Sequence, residues 1–115
     1  MPGTVYGYIR MEDDHEAEID RLHDRLSAHA AAEGQALADV FVDRNMPPGQ
    51  LIRPGLTLLL DAVRRADGAT VIVPDLDHLS SLMAARRAIE AEISEAGARL
   101  IATAAAGDGV QAQPS

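Results

Sequence analysis

The stretch Val5–Asp14, VYGYIRMEDD, decides how the rest of the chain is read. Its residues alternate. Val5, Gly7, Ile9 and Met11 fall on one side of an extended chain and Tyr6, Tyr8, Arg10 and Glu12 on the other, the period of two that a pleated strand requires. The first set is apolar and suits a core, whereas the second is expected to carry chemistry. Arg10 and Glu12 leave the same side near the carboxyl end of the strand, just before an acidic turn at Asp13 and Asp14. Open parallel sheets bind their ligands outside the carboxyl ends of the strands, so a functional site is expected to begin here.

Outward from this strand, the text alternates between helical and extended patterns. From Glu16 to Glu33 the apolar residues Ile19, Leu22, Leu26 and Ala30 recur at helical spacing, with Asp13 or Asp14 placed to cap the start and Gly34 to end it. A second strand is expected from Ala36 to Val42, closing on Asp43. Residues 44–53, RNMPPGQLIR, read as a loop because Pro47 and Pro48 lack the amide hydrogen that a strand or helix interior needs. Pro54 suits the first turn of a helix whose Leu56, Leu59, Leu60 and Val63 form one stripe, ending near Asp67 and Gly68. Ala69–Pro74 is nearly all apolar, as a strand buried on both faces is. It is expected at the centre of the sheet. Ser80 or Ser81 is placed to cap a helix over Leu82–Ala96 that turns Leu82, Ala85, Ile89 and Ile93 inward and stops at Gly97, and Arg99–Thr103 is a fourth strand.

The order β-α-β-α-β-α-β predicts an α/β fold: one four-stranded or slightly larger parallel sheet with right-handed crossovers and helices on both faces. Residues 1–104 are expected to form this one domain, and 105–115 a disordered tail too poor in apolar residues to pack. The carboxyl ends of the strands would bring Arg10, Glu12, Asp43, Asp75, Asp77 and His78 to one acidic rim.

The chain has 115 residues, no cysteine and a net charge of -8 from 18 acids against 10 arginines, with no lysine. It can therefore hold neither a disulfide nor a thiolate zinc site. An acidic surface repels a phosphate backbone, so DNA binding by this chain alone is not expected. No apolar run approaches the ~18 residues that span a bilayer, and the amino terminus lacks a secretory signal, so a cytoplasmic protein without membrane contact is expected. Glu12, Asp13, Asp14, Glu16, Glu18, Asp20 and Asp24 are read as a solvated helix start favoured by the helix dipole. His15, His23 and His29 do not share the spacing of a helical metal pair and are read as surface residues.

Four blocks, in order, resemble the catalytic domain of serine recombinases of the resolvase and invertase type. They are Tyr8-Ile9-Arg10-Met11-Glu12-Asp13, Val42-Asp43, Arg53-Pro54-Gly55-Leu56, and Val71-Ile72-Val73-Pro74 with Leu76-Asp77-His78-Leu79-Ser80-Ser81. The likeness runs from Val5 to Thr103. It implies the same α/β fold and a site built from Arg10, Asp43, Arg53 and Asp77. In that family a serine attacks a DNA phosphodiester and arginines bind the phosphate. Here Glu12 stands at the serine position, His78 and Ser81 stand at two arginine positions, and Pro47-Pro48 replaces a Ser-Gly in the loop.

The resemblance therefore implies a vacated site comprising Arg10, Glu12, Asp43, Arg53, Asp77, His78 and Ser81, with no catalytic residue, cofactor or metal. Arg10 and Glu12 are expected to pair, filling the space. The function this suggests is that of an interaction or regulatory module, binding a second copy of itself or another protein, with Leu51, Ile52 and the acidic first helix as candidate surfaces. Two alternatives stay open. Glu12 with Asp75 and Asp77 resembles the Glu and Asp-x-Asp set of the Toprim fold, whose oxygen ligands suit Mg²⁺ for phosphoryl transfer. The chain could also act as a DNA-linked regulator of an intact site-specific recombinase.

Overall fold

Two central strands dictate the architecture, because both have to be apolar on each face. In the computed structural model, which describes residues 4–47, 50 and 52–104, they are β1 (Val5–Arg10) and β3 (Thr70–Val73). The remaining elements are α1 (Glu16–Ala32), β2 (Leu37–Asp43), α2 (Pro54–Arg65), a 3₁₀ turn at Leu76–His78, α3 (Met83–Glu95) and β4 (Arg99–Ala102). The strands form one parallel sheet in the order β2-β1-β3-β4. Gly7 lies beside Ile72 of β3, and Arg10 beside Asp43 of β2.

The core has two layers, one on each face of this sheet. Val5, Ile9 and Ile72 meet Leu22, Leu26 and Ala30 of α1. Tyr8, Val71 and Val73 meet Leu56, Leu59, Leu60 and Val63 of α2 and Ile89 and Ile93 of α3. The alternation read in β1 is thus correct, but its second face is core as well: Tyr8 is wholly buried, and only the carboxyl end of the strand is free for chemistry. Gly34, Gly68 and Gly97 follow the three helices at φ +74, +82 and +84, the left-handed conformation that glycine adopts without strain.

Helix starts differ from expectation. His15, not Asp13 or Asp14, is the N-cap of α1, its Nδ1 accepting from Glu18 N at 3.2 Å, while Asp13 Oδ1 accepts from His15 N one turn earlier. The unprotonated ring nitrogen of His15 accepts the amide in place of a carboxylate oxygen, and Asp13 sits too far back to reach the helix. Leu82 caps α3 without a side-chain bond and is 47% exposed instead of inward, because the unforeseen 3₁₀ turn delays the helix by one residue. Ser80 Oγ accepts from Leu82 N at 3.0 Å and so tightens that approach without being the cap. Pro48, Gly49, Leu51 and the tail over 105–115 lie outside the described residues. Among the described residues, no helix is long and apolar enough to cross a membrane.

Gly7 sets the distance between α1 and the sheet. A Cβ there would lie 2.9 Å from Leu26 Cδ1 and 3.2 Å from Val40 Cγ2. Gly7→Ala is expected to lower the unfolding free energy by about 1–3 kcal/mol through overpacking, read as a reduced urea midpoint at unchanged m-value.

Candidate functional site

At the carboxyl end of the sheet, three buried polar side chains interlock. Asp43 ends β2 and is 3% exposed. Its carboxylate accepts from Gly55 N at 2.7 Å and Leu56 N at 2.9 Å, capping α2 from a neighbouring strand. The helix needs this help because Pro54 brings no N–H and Arg53, the N-cap, makes no side-chain cap bond. Gly55 is required here, since a Cβ would stand 3.0 Å from the Asp43 carboxyl carbon and from both its oxygens.

Tyr8 completes the set. Its hydroxyl donates to Asp43 Oδ2 at 2.7 Å and accepts from Arg53 Nη2 at 2.9 Å. Burial foremost, and then the bond donated to Asp43, pushes the Tyr8 hydroxyl above its ordinary pKa, so it stays protonated and in the donor role. The Arg53 guanidinium lies 5.6 Å from the Tyr8 ring centroid and also donates to His78 O at 3.1 Å. Arg53 is only 7% exposed.

Arg10 and His78 form the other half. Arg10 donates through Nη1 to Met46 O at 2.8 Å and through Nη2 to Asp77 O at 2.9 Å, and its backbone N–H donates to His78 Nδ1 at 2.9 Å. The Arg10–Glu12 pair expected from sequence forms at 3.9 Å, but the Glu12 side chain is 59% exposed. Glu12 is therefore no filling for the site; backbone carbonyls hold Arg10, and the carboxylate faces solvent, where such a pair contributes little.

The rim also departs from the acidic one expected. Asp43 is internal, and Asp75 is taken up by the 3₁₀ turn, its Oδ1 accepting from Asp77 N at 2.9 Å. Ser81 is exposed beside that turn. Arg86 of α3 was not anticipated: its guanidinium comes within 3.6 Å of Asp77 Oδ1, and its side chain is 18% exposed. The spacing from the Asp77–His78 turn into the first turn of α3 was the available signal, hidden by the late start of that helix. Arg10, Arg53 and Arg86 each keep a buried Nε without a hydrogen-bond partner, the three such side-chain atoms among the described residues. Glu12, Asp75 and Asp77 do not gather as the Mg²⁺ alternative requires: among the described residues no three His, Asp or Glu side chains lie close enough together to hold a metal.

His78 makes the site sensitive to pH. Burial lowers its pKa below the ordinary 6.5 and the Arg10 charge adds to this, while Asp75, Asp77 and Glu18 act the other way. As pH falls, the unfolded chain takes up this proton before the folded one does. The stability owed to neutral His78 is therefore whole above 6.5 and shrinks below it. His78→Asn keeps an acceptor that does not titrate. Urea unfolding of both proteins across this range is expected to show a steeper acid loss with His78, and identical slopes would exclude it as the source.

The family profile of the resolvase N-terminal domain matches residues 5–113. Among solved structures, the N-terminal catalytic domain of TP901-1 integrase is similar with a TM-score of 0.76 and 27% identity, over 86% of this chain and 76% of that one. The C-terminal catalytic domain of ISC1926 TnpA, an IS607-like serine recombinase, gives 0.74 and 24% over 86% and 67%. The corresponding domain of IS1535 TnpA, also IS607-like, gives 0.63 and 22% over 86% and 68%. At under a quarter identical, these last two speak for the fold alone. No curated protein matches the chain.

Proposed function

The chain belongs to the resolvase N-terminal domain family, as its sequence blocks implied, and we propose that within it this domain does not cleave DNA but serves as an interaction or regulatory module. One observation carries the reading: the end of β1 presents an exposed carboxylate, Glu12, while Arg10 and Arg53 behind it are bonded to internal acceptors. A carboxylate is repelled by the phosphodiester it would have to attack, and an acyl phosphate, once formed, hydrolyses readily instead of serving reversible strand exchange. His78 cannot replace a guanidinium either, since burial holds it neutral and its Nδ1 is an acceptor. One missing electrostatic donor alone lowers a rate by about 10²- to 10³-fold.

The partner is a second copy of this chain or another protein. Ile52, 75% exposed, is an apolar side chain that the described part of the loop over 44–53 presents to solvent. A second reading, a DNA-linked regulator of an intact recombinase, draws on the three guanidiniums of Arg10, Arg53 and Arg86, none of which has a carboxylate closer than 3.6 Å among the described residues. Fluorescence anisotropy of labelled duplex DNA at low salt separates the two. Absence of binding at tens of micromolar is the expected result; binding that weakens steeply with salt would move the DNA-linked reading to the front.

A further inference from the structure

At the outer edge of the sheet, a groove of about 500 Å³ separates α1 from β2. His23, Ser27 and Ala31 form its helical wall and residues 37–40 its strand wall. We infer that this groove takes an extended, basic peptide segment of another protein, which adds to the sheet as a strand beside β2. The inference rests on the reading of the domain as an interaction module and gives that module a surface and a partner chemistry.

β2 is an edge strand, joined to β1 on one side only. Successive residues of a strand turn their peptide groups alternately to its two sides. Asp43 O accepts from Met11 N, so Asp39, Phe41 and Asp43 face β1, and Val40 and Val42 direct their N–H and C=O outward. Among the described residues, no other backbone group is hydrogen-bonded to this outer edge. The Val40 N–H donates at 2.9 Å to Oδ1 of its own neighbour, Asp39, a local bond that an incoming carbonyl can replace. Such an unpaired edge is the template on which peptides dock by strand addition. The groove beside it stays open because Ala31, Ala36 and Ala38 bring no more than a methyl group.

Charge on the walls sets the partner. At 3.6 residues per turn, Glu16, Asp20, His23, Asp24, Ser27 and Ala31 share an arc of about 100° on α1, and Arg21 and Arg25 point away from it. Arg44, just after β2, neutralises Glu16. Asp20, Asp24 and Asp39 are exposed and, among the described residues, form no salt bridge. Three such carboxylates around one groove suit lysine or arginine side chains, which leave every second position of an extended chain toward α1. A second copy of this chain is a poor occupant, since it would set the same acids and the same net charge of -8 against them.

The test is a titration of the ¹⁵N-labelled protein with three capped peptides: Thr-Lys-Val-Lys-Val-Lys-Thr, its counterpart with Glu for each Lys, and the lysine peptide N-methylated throughout. The lysine peptide is expected to shift the amides of Val40 and Val42 saturably. N-methylation keeps the charge but removes the strand donors, so it should weaken binding at least about tenfold, and the glutamate peptide should not bind. Asp20→Asn combined with Asp24→Asn, at exposed positions that do not threaten the fold, should weaken the lysine peptide about three- to tenfold. DNA binding decides the interaction-module reading by itself, so the two can fail separately. Undiminished binding of the N-methylated peptide, binding of the glutamate peptide, or no saturable shift along β2 would each overturn the inference. So would β2 shifts that depend on protein concentration alone, which would give the edge to a second copy.

Discussion

Asp43→Ala is expected to lower the unfolding free energy by about 3–5 kcal/mol, the range for breaking a buried, hydrogen-bonded charge. The carboxylate receives the Tyr8 hydroxyl and the amides of Gly55 and Leu56, all within 2.9 Å. Its removal leaves three buried donors without an acceptor and uncaps α2, whose Leu56, Leu59, Leu60 and Val63 form much of one core layer. A domain of this size has only about 5–15 kcal/mol in total, so the variant should be partly unfolded at moderate urea. Asp43→Asn should lose less, since the amide oxygen still accepts one or two of the three bonds. Equal losses for alanine and asparagine would show that the charge, and not the set of acceptors, is what the site requires.

Leu26→Ala should cost about 2–5 kcal/mol, because this wholly buried side chain fills the space above Gly7 and the neighbouring structure can close over the cavity only in part. The contact between Leu26 and Gly7 makes the two sites interdependent. The methyl group that Gly7→Ala introduces collides with Leu26 Cδ1 in the native protein but enters the vacated volume in the Leu26→Ala background. Chemical denaturation of the two single variants and the double variant should therefore give a loss for the pair that is smaller than the sum by about 0.5–3 kcal/mol. Additive losses would place the cavity elsewhere than over Gly7.

Fold and site differ in how much of them the sequence discloses. Periodicity is a local property, and β1, α1, α2 and β3 each carry enough of it to fix their type, though not the burial of Tyr8 on the second face of β1. The parallel sheet then follows from their order. What periodicity does not contain is where a polar side chain finds its partner. Asp43 was legible as a strand end at the rim, but its burial depends on Gly55, twelve residues on, leaving space for it. Glu12 and Arg10 stand two residues apart on one strand, and spacing alone suggested a pair; the carbonyls of Met46 and Asp77, brought in by two distant loops, reach Arg10 first. Arg86 was overlooked for a related reason, since the carboxylate it approaches belongs to Asp77, in a short turn that helical or strand periodicity does not place. His15 shows that a cap can come from a residue type seldom considered for it.

The central claim is that a resolvase-type fold here works without strand cleavage. Its most direct test is to incubate the purified protein, and separately Glu12→Ser, with supercoiled plasmid carrying a pool of random-sequence inserts, and to look for nicked circles and for protein bound covalently to DNA after detergent treatment. Neither protein should give either product, because restoring a hydroxyl at position 12 leaves His78 and Ser81 without guanidiniums. A covalent adduct formed by the native protein would contradict the account outright, and one formed only by Glu12→Ser would show that the remaining arginines, Arg10, Arg53 and Arg86, suffice for the chemistry.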